Sequence, residues 1–400
     1  MSDSRAKPVA MTKFFKIFTT ALFLTGAIVP TLASARPMTA EDLATLKRMG
    51  SVSVSPDEKW AAYDVTETQP ETYERSNALY LLEIDAADAT PVRILDVAGK
   101  SEHSPAFAPD GSLYYLSDAS GSEQLWHADI ISGDKVGKPV QASELKADIA
   151  GFKLSQTGKQ IALWGEIARD CPTFGCEESG NRAEPGPGTG REYDELFIRH
   201  WSSWETPGNY SRIFAFGLED GKITGEGSAL DGDLIGDSPS KPFGGGEEIT
   251  WVPGEDGVFF ALRVADRNEP KSTNIDIYGA KADGNETVNF TANNKATDTL
   301  PAFSSDGQWL AWAAMERPGY EADRLVVKLR KQGSDEDEAI ALTKDWDRSV
   351  GSIVWTPDNK YLIVTAQEVL DHPAFAVEVE TGKVTRLTAG GNVGTTIPLQ

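Results

Sequence analysis

A short polar turn followed by an apolar strand recurs along the chain. The turn varies around Ser-Pro-Asp-Gly, and the strand after it is rich in Trp, Tyr, Ile, Leu and Val. Proline presets the backbone dihedral φ of the first turn position, Asp bonds nearby backbone N–H groups, and Gly or Asn accepts a positive φ. The pattern therefore predicts a hairpin turn between two β-strands. Its six copies begin at Ser55, Ala108, Ser155, Pro253, Ser304 and Thr356.

A second apolar run follows most of these strands after 15 to 25 residues, and several copies end with a third short run. Each copy therefore predicts about four short antiparallel strands. The second runs begin at Leu79, Gln124, Ile213, Ile275, Leu325 and Phe375, and third runs begin at Ile340 and Val384.

The interval between copies indicates the architecture. Asp57 and Asp110 are 53 residues apart, and the interval from Asp306 to Asp358 is 52 residues. A period of 40 to 55 residues with four strands per copy is typical of a β-propeller, an all-β fold of radially packed four-stranded blades. A β-sandwich is the alternative, but it would not repeat one turn at this interval.

The last copy in the series and one long interval between copies lead to two further expectations. The final short strand near Thr385 has no seventh turn after it. We therefore expect a propeller of seven blades, residues 36–400, whose last blade is incomplete because the chain is truncated. The interval from Gly158 to Gly257 is 99 residues, which predicts an insertion at about residues 166–208.

Composition and charge exclude several classes of protein. With 40% hydrophobic and 25% charged residues, the chain is ordinary for a globular protein, which argues against disorder, collagen and a polytopic membrane protein. The formal net charge is −23, which would repel a phosphate backbone and an anionic membrane surface. Nucleic-acid binding is therefore not expected.

The first 35 residues have the order of a secretory signal peptide. Four basic residues lie among the first 16, an apolar run covers residues 17–29, and the small triplet Ala33-Ser34-Ala35 follows. The alternative is an uncleaved membrane anchor, but the apolar run is short for the roughly 20 residues that a bilayer requires. We expect cleavage after Ala35, a periplasmic or secreted protein, and no stable membrane insertion afterwards.

The chain contains two cysteines, Cys171 and Cys176. In an oxidising compartment such a pair can close a small loop, so a disulfide is the favoured interpretation. Two buried free thiols are the alternative. A metal site is the weakest interpretation, because two thiolates have no nearby histidine partners.

The insertion supplies the candidate binding residues, because long loops on a rigid scaffold commonly carry binding groups. Glu177 and Glu178 could hold the ammonium group of a substrate, or they could form part of a solvated acidic loop. Arg199, His200 and Trp201 could pair with a carboxylate or pack against a partner domain. Apolar alternation around them suits an ordinary strand equally well.

Catalytic motifs are missing from the 400 residues. A nucleophilic serine of an α/β-hydrolase lies in a G-x-S-x-G turn, and the nearest segment, residues 236–240, ends in Ser and lies in a polar stretch. The sequence also lacks the motifs of zinc peptidases, P-loops and dinucleotide-binding folds. No catalytic residue, metal or cofactor is therefore expected in this chain.

Several of these features together resemble a known family. They are the leader, residues 38–43 and 52–57, the repeated turns, and residues 193–204 with Arg199-His200-Trp201. The chain resembles, over residues 38–400, the N-terminal propeller of exported prolyl oligopeptidase family serine peptidases, in the dipeptidyl and acylaminoacyl peptidase branch.

The resemblance implies a partner and a function. In that family the propeller caps a C-terminal α/β-hydrolase domain that bears the catalytic Ser, Asp and His, and it restricts access to short peptides. This chain ends before such a domain, so no catalytic residue is carried over. The alternative is a stand-alone periplasmic propeller that serves as a protein-binding scaffold.

Overall fold

The computed structural model describes residues 36–84, 88–94, 100–132, 135–176, 188, 190, 193, 196, 198–254 and 257–394. The predicted signal peptide, residues 1–35, lies outside this range. A short unit ends at Leu43, where the carboxylate of Asp42 accepts hydrogen bonds from Arg36 and from the backbone N–H of Thr39 near the start of α1 (Ala40–Thr45). The second unit begins at Ala44. No helix in the described ranges is long and apolar enough to span a bilayer.

Six antiparallel sheets follow one another in the described part of the second unit, and neighbouring strands in each sheet are consecutive strands of the chain or nearly so. The first contains β1 (Arg48–Val54), β2 (Trp60–Thr68), β3 (Arg75–Glu83) and β4 (Val92–Arg93). The second contains β5 (Glu102–Phe107), β6 (Leu113–Ser117), β7 (Gln124–Ala128) and β10 (Val140–Gln141), with β8 (Ile130–Ser132) and β9 (Lys135–Val136) paired beside it in sequence. The third contains β11 (Gly151–Leu154), β12 (Gln160–Ala168), β15 (Asn209–Glu219) and β16 (Lys222–Ala229).

The remaining three sheets keep the same order. The fourth contains β18 (Ile249–Trp251), β19 (Gly257–Val264), β20 (Asp276–Lys281) and β21 (Val288–Asn289), and β17 (Gly236–Asp237) pairs with the far end of β19. The fifth contains β22 (Asp298–Phe303), β23 (Trp309–Ala314), β24 (Val326–Lys331) and β25 (Ile340–Ala341). The sixth contains β26 (Val350–Trp355), β27 (Tyr361–Ala366), β28 (Ala374–Glu378) and β29 (Val384–Arg386). Short 3₁₀ turns occupy Gly246–Glu248, Glu269–Lys271 and Glu336–Glu338.

The repeated turns have the predicted geometry. In the first, the Ser55 hydroxyl donates to the Asp57 carboxylate at 2.6 Å and accepts from the backbone N–H of Trp60 at 3.0 Å. The turn that starts at Ser304 repeats both bonds at the same distances. The fourth turn position has a positive φ, as the pattern predicts. It is occupied by Glu58, Gly111, Gly158, Gly307 and Asn359 in five of the copies.

Apolar side chains fill the space between consecutive sheets. Five buried clusters occur in the described residues, and each contains residues of two successive sheets. Leu81 of β3 and Leu113 of β6, for example, share the cluster between the first and second sheets. Because a sheet in the middle of the series is covered on both faces, the predicted β-propeller of four-stranded blades is confirmed. The number of seven blades stays a prediction.

The insertion joins the second and third strands of the third sheet. Since β12 extends to Ala168 and β15 begins at Asn209, the connecting segment is residues 169–208. Its first part is a small loop closed by the predicted disulfide, with the sulfurs of Cys171 and Cys176 bonded to each other. Phe174 inside this loop is buried, and its ring lies 5.5 Å from that of Phe214. The first part of the insertion is therefore packed structure.

We expect thiol titration of the oxidised, unfolded protein to find no free sulfhydryl group. Because the loop closed by Cys171 and Cys176 is only a few residues long, a double replacement by serine should lower the free energy of unfolding by about 2 kcal/mol, the low end of the usual range. Chemical denaturation of both proteins measures the difference. Two reactive thiols in the unreduced protein would contradict the disulfide.

Candidate functional site

The first strand of every sheet faces one of two adjoining cavities. The larger has a volume of 1510 Å³ and is lined by first strands of the third to sixth sheets, including Lys153, Trp251, Phe303 and Trp355. The second has a volume of 920 Å³ and is lined by first strands of the first three sheets. Lys153 and Glu247 line both cavities. The six sheets therefore surround a common centre, which is open to small molecules.

One wall of the second cavity carries a cluster of charges, which we call the Lys241 cluster. The Lys241 ammonium lies 2.9 Å from a carboxylate oxygen of Glu166, 3.0 Å from one of Glu205 and 3.2 Å from one of Asp237. Glu166, Glu205 and Lys241 line the cavity directly. Three carboxylates facing one ammonium leave the cluster with an excess of negative charge when all of them are ionised.

Burial and charge shift the pKa values within this cluster. Burial raises the pKa of Asp237 to about 6, although Lys241 acts in the opposite direction. Burial lowers the pKa of Lys241, but the carboxylates of Asp237 and Glu166 outweigh it and raise that pKa above its usual value. Lys241 therefore stays charged at neutral pH, and the cluster offers carboxylate oxygens to a second cation.

The loop that carries Lys241 is held rigidly by a buried acid. Glu248 accepts hydrogen bonds from the backbone N–H of Ser240 at 2.7 Å, from the Ser240 hydroxyl at 2.8 Å and from Thr299 at 3.0 Å. A Cβ atom at Gly244 would lie 2.5 Å from the backbone carbonyl oxygen of Ser240, so only glycine fits at this close approach. Burial raises the pKa of Glu248 to about 7. Lys241 is thus positioned by the contacts of its own loop with the buried Glu248.

The predicted Arg199-His200-Trp201 segment lies on a small hairpin of the insertion, formed by β13 (Arg199–His200) and β14 (Ser203–Trp204). The Arg199 guanidinium lies over the Trp204 ring, 5.2 Å from its centre. A ring nitrogen of His200 lies 3.4 Å from the Arg263 guanidinium, and burial together with that charge lowers the pKa of His200. Trp201 is 73% exposed. None of these three side chains lines either cavity.

The next residues of the same hairpin reach the second cavity. Ser203, Trp204 and Glu205 line its wall. Glu177 and Glu178, the predicted ammonium-binding pair, lie outside the described residues. A substrate contact by these two residues, or by Arg199, His200 or Trp201, stays a prediction.

Sequence reasoning did not find the Lys241 cluster. Its members come from the end of β12, the segment after β14, β17, and the loop after β17. Its only signal in the sequence is that Glu166 and Glu205 lie within the predicted insertion. In the described part of the chain, no group of three His, Cys, Asp or Glu side chains is arranged to hold a metal ion.

Comparisons with known proteins find similarity to peptidases. No family model matches the sequence. The chain is 28% identical over 385 residues to dipeptidyl-peptidase 5 of Porphyromonas gingivalis, which covers 94% of the chain and 53% of the relative. It is 26% identical over 391 residues to dipeptidyl-peptidase 5 of Aspergillus fumigatus, with 92% and 53% covered. The chain thus spans about half the length of these curated relatives.

A solved structure supports the same fold. An acylaminoacyl peptidase in complex with Z-Gly-Gly-Phe-chloromethyl ketone superposes with a TM-score of 0.58 at 15% identity, over 88% of this chain and 47% of that one. The chain therefore shares its fold with part of that acylaminoacyl peptidase. Its curated homologues are the dipeptidyl-peptidases 5, and the predicted resemblance to the propeller portion of that peptidase family is confirmed.

Proposed function

We propose that this propeller is the substrate-gating portion of an exported serine exopeptidase that cleaves short peptides, of the dipeptidyl or acylaminoacyl type. Its partner would be an α/β-hydrolase domain of the same protein that supplies the catalytic triad. A central space of the observed size admits an extended peptide and excludes a folded protein. The homology to dipeptidyl-peptidases 5 supports the peptide as the substrate class.

The Lys241 cluster is the observation that carries the dipeptidyl form of this proposal. A short peptide with a free N-terminus brings an ammonium group, which ionised carboxylates bind through charge-assisted hydrogen bonds. Glu166 is the most accessible acid of the cluster, with 43% of its side chain exposed, and Glu205 has 19% exposed. Lys241 organises both acids without neutralising them fully. We assign the N-terminal ammonium of the substrate to Glu166 and Glu205.

Binding to the purified chain tests this assignment. By isothermal titration calorimetry, we expect the tripeptide Ala-Ala-Phe to bind, and its N-acetylated form to bind about 10 to 100 times more weakly, because a charged hydrogen bond contributes roughly 1.5–3 kcal/mol. Glu205→Gln should weaken binding of the free peptide by a similar factor. Glu286→Gln, an exposed acid on the β20–β21 turn, is the matched control and should leave binding unchanged.

The outcomes separate the two candidate functions. Equal affinity for the free and acetylated peptides would contradict the ammonium site. Absence of binding by either peptide would contradict the gating function and favour the scaffold. Sequencing the codons after Gln400 provides an independent test, because the proposal expects a G-x-S-x-G serine turn in the same reading frame within about 250 residues, the usual size of a domain.

A further inference from the structure

Three buried oxygen atoms belong to the segments through which the fourth and fifth sheets adjoin. They are Oδ1 of Asp276, Oδ2 of Asp298 and Oδ1 of Asn274, and none has a hydrogen-bond partner among the described residues. Asp276 is 4% exposed and Asp298 is 1% exposed. An unpartnered buried oxygen costs free energy, and that cost is larger for an ionised carboxylate. These carboxylate and amide oxygens therefore need a partner, which is either a proton or a cation.

The backbone brings the two carboxylates side by side. Ile275 and Thr297 form a parallel bridge, and the N–H of Asp298 donates to the carbonyl of Ile275 at 2.8 Å. In a parallel register the next residues along both segments, Asp276 and Asp298, are also neighbours and share one face.

The other oxygen of each carboxylate is held by neutral donors. The side-chain amides of Asn274 and Asn289 each donate to Oδ2 of Asp276 at 2.9 Å. The indole N–H of Trp312 donates to Oδ1 of Asp298 at 2.7 Å. Supporting donors that fix one carboxylate oxygen and leave the other available are typical of the surroundings of metal ligands.

Two kinds of partner would satisfy the carboxylates. A proton shared between Asp276 and Asp298 is favoured by burial, which raises both pKa values, that of Asp298 to about 7. The ammonium groups of Lys295 and Lys328 act in the opposite direction on Asp276 and Asp298 respectively. A shared proton leaves the amide oxygen of Asn274 without a donor, whereas a hard cation is bound by carboxylate and amide oxygens alike.

We propose that Asp276, Asp298 and Asn274 bind a calcium ion that joins the fourth and fifth sheets. Two ionised carboxylates balance its charge, and the neutral amide oxygen supplies a third ligand. The site is structural and lies apart from the residues that line the two cavities. Calcium would tie the start of β20 to the start of β22, where the chain passes from one sheet to the next.

Terbium luminescence tests the site, because Tb³⁺ replaces Ca²⁺ at oxygen ligands and Trp312 lies close enough to sensitise it. We expect emission at indole excitation that saturates near one ion per chain and is displaced by Ca²⁺. Asp298→Asn should abolish saturable emission, and Asn289→Leu, which removes a supporting donor, should weaken binding by about 10 to 100 times. Asp345→Asn, at an exposed acid, is the control for surface binding and should change nothing.

Measurements on the unmodified protein keep the proposal testable if the Asp298 variant fails to fold. Elemental analysis after gel filtration should find about one calcium per chain, and a chelator should lower the melting temperature. The proposal is overturned if Ca²⁺ and chelator both leave the melting temperature unchanged and no saturable terbium emission occurs. It is also overturned if an infrared carbonyl band of a protonated carboxyl persists in saturating Ca²⁺ and disappears in Asp298→Asn.

Discussion

Replacement of Arg212 by methionine is expected to lower the free energy of unfolding by about 3–5 kcal/mol, which is the usual cost of breaking a buried ion pair. Arg212 is 7% exposed and its partner Asp231 is 2% exposed, with two N–H···O bonds of 2.6 and 3.0 Å between them. The same guanidinium donates to the carbonyl of Cys171 at 2.7 Å. Methionine would leave the Asp231 carboxylate and this carbonyl buried without their donors.

The chain offers a matched control for this substitution. Arg317 also pairs with an aspartate, Asp323, at 2.8 Å, but 62% of its side chain is exposed. Arg317→Met should therefore lower the free energy of unfolding by only about 0–1 kcal/mol. Urea titration of the three proteins measures both differences. The double variant Arg212→Met with Asp231→Leu removes both charges and should recover part of the loss. Similar costs for the two single variants would show that burial does not set the strength of the Arg212 pair.

Truncation of Phe174 to alanine is expected to have a comparable effect, about 3–5 kcal/mol. This side chain is 2% exposed, and its ring makes edge contacts with those of Phe214 at 5.5 Å and Phe216 at 6.2 Å. It belongs to the cluster between the second and third sheets. Alanine would open a cavity there that the disulfide-closed loop has little freedom to fill.

Phe243→Ala is the control for this truncation, because the side chain is the same and 76% of it is exposed. Its ring contacts Trp201 and His200 at 6.3 Å each. We expect a change within about 0.5 kcal/mol, as for surface substitutions in general. If thermal and urea unfolding give equal losses for the two variants, the loop around Phe174 does not anchor the third sheet.

The sheets could be predicted from sequence because their signals are local. Each turn is closed within a few residues, as in the bonds that join Ser304 to Asp306 and Trp309. Six copies of one local pattern then define the period, and the period defines the architecture. The disulfide was predictable for the same reason, since its two cysteines are five positions apart.

The candidate site could not be predicted, because nothing local marks it. Glu166 lies near the end of β12, at the first position of the predicted insertion, and Asp237 and Lys241 lie in a Pro- and Ser-rich segment. Asp237 and Lys241 are four positions apart, but only tertiary packing brings Glu166 to within 2.9 Å of the Lys241 ammonium. Phe174 shows the converse, because the sequence predicts a binding loop at its segment, whereas its side chain packs into the core. The contacts of Glu166 with Lys241 and of Phe174 with Phe214 both join residues far apart in the chain.

The five apolar clusters, each shared by two successive sheets, determine how far the effect of a destabilising substitution extends. Each cluster depends only on the two sheets that flank it. The free energy of unfolding is therefore a sum of contributions from neighbouring sheets. A destabilising substitution in the third sheet weakens the clusters on both of its faces and leaves the cluster between the fifth and sixth sheets unchanged. Native-state hydrogen exchange should therefore show that backbone amides lose protection in two or three adjacent sheets, while the amides of distant sheets stay protected.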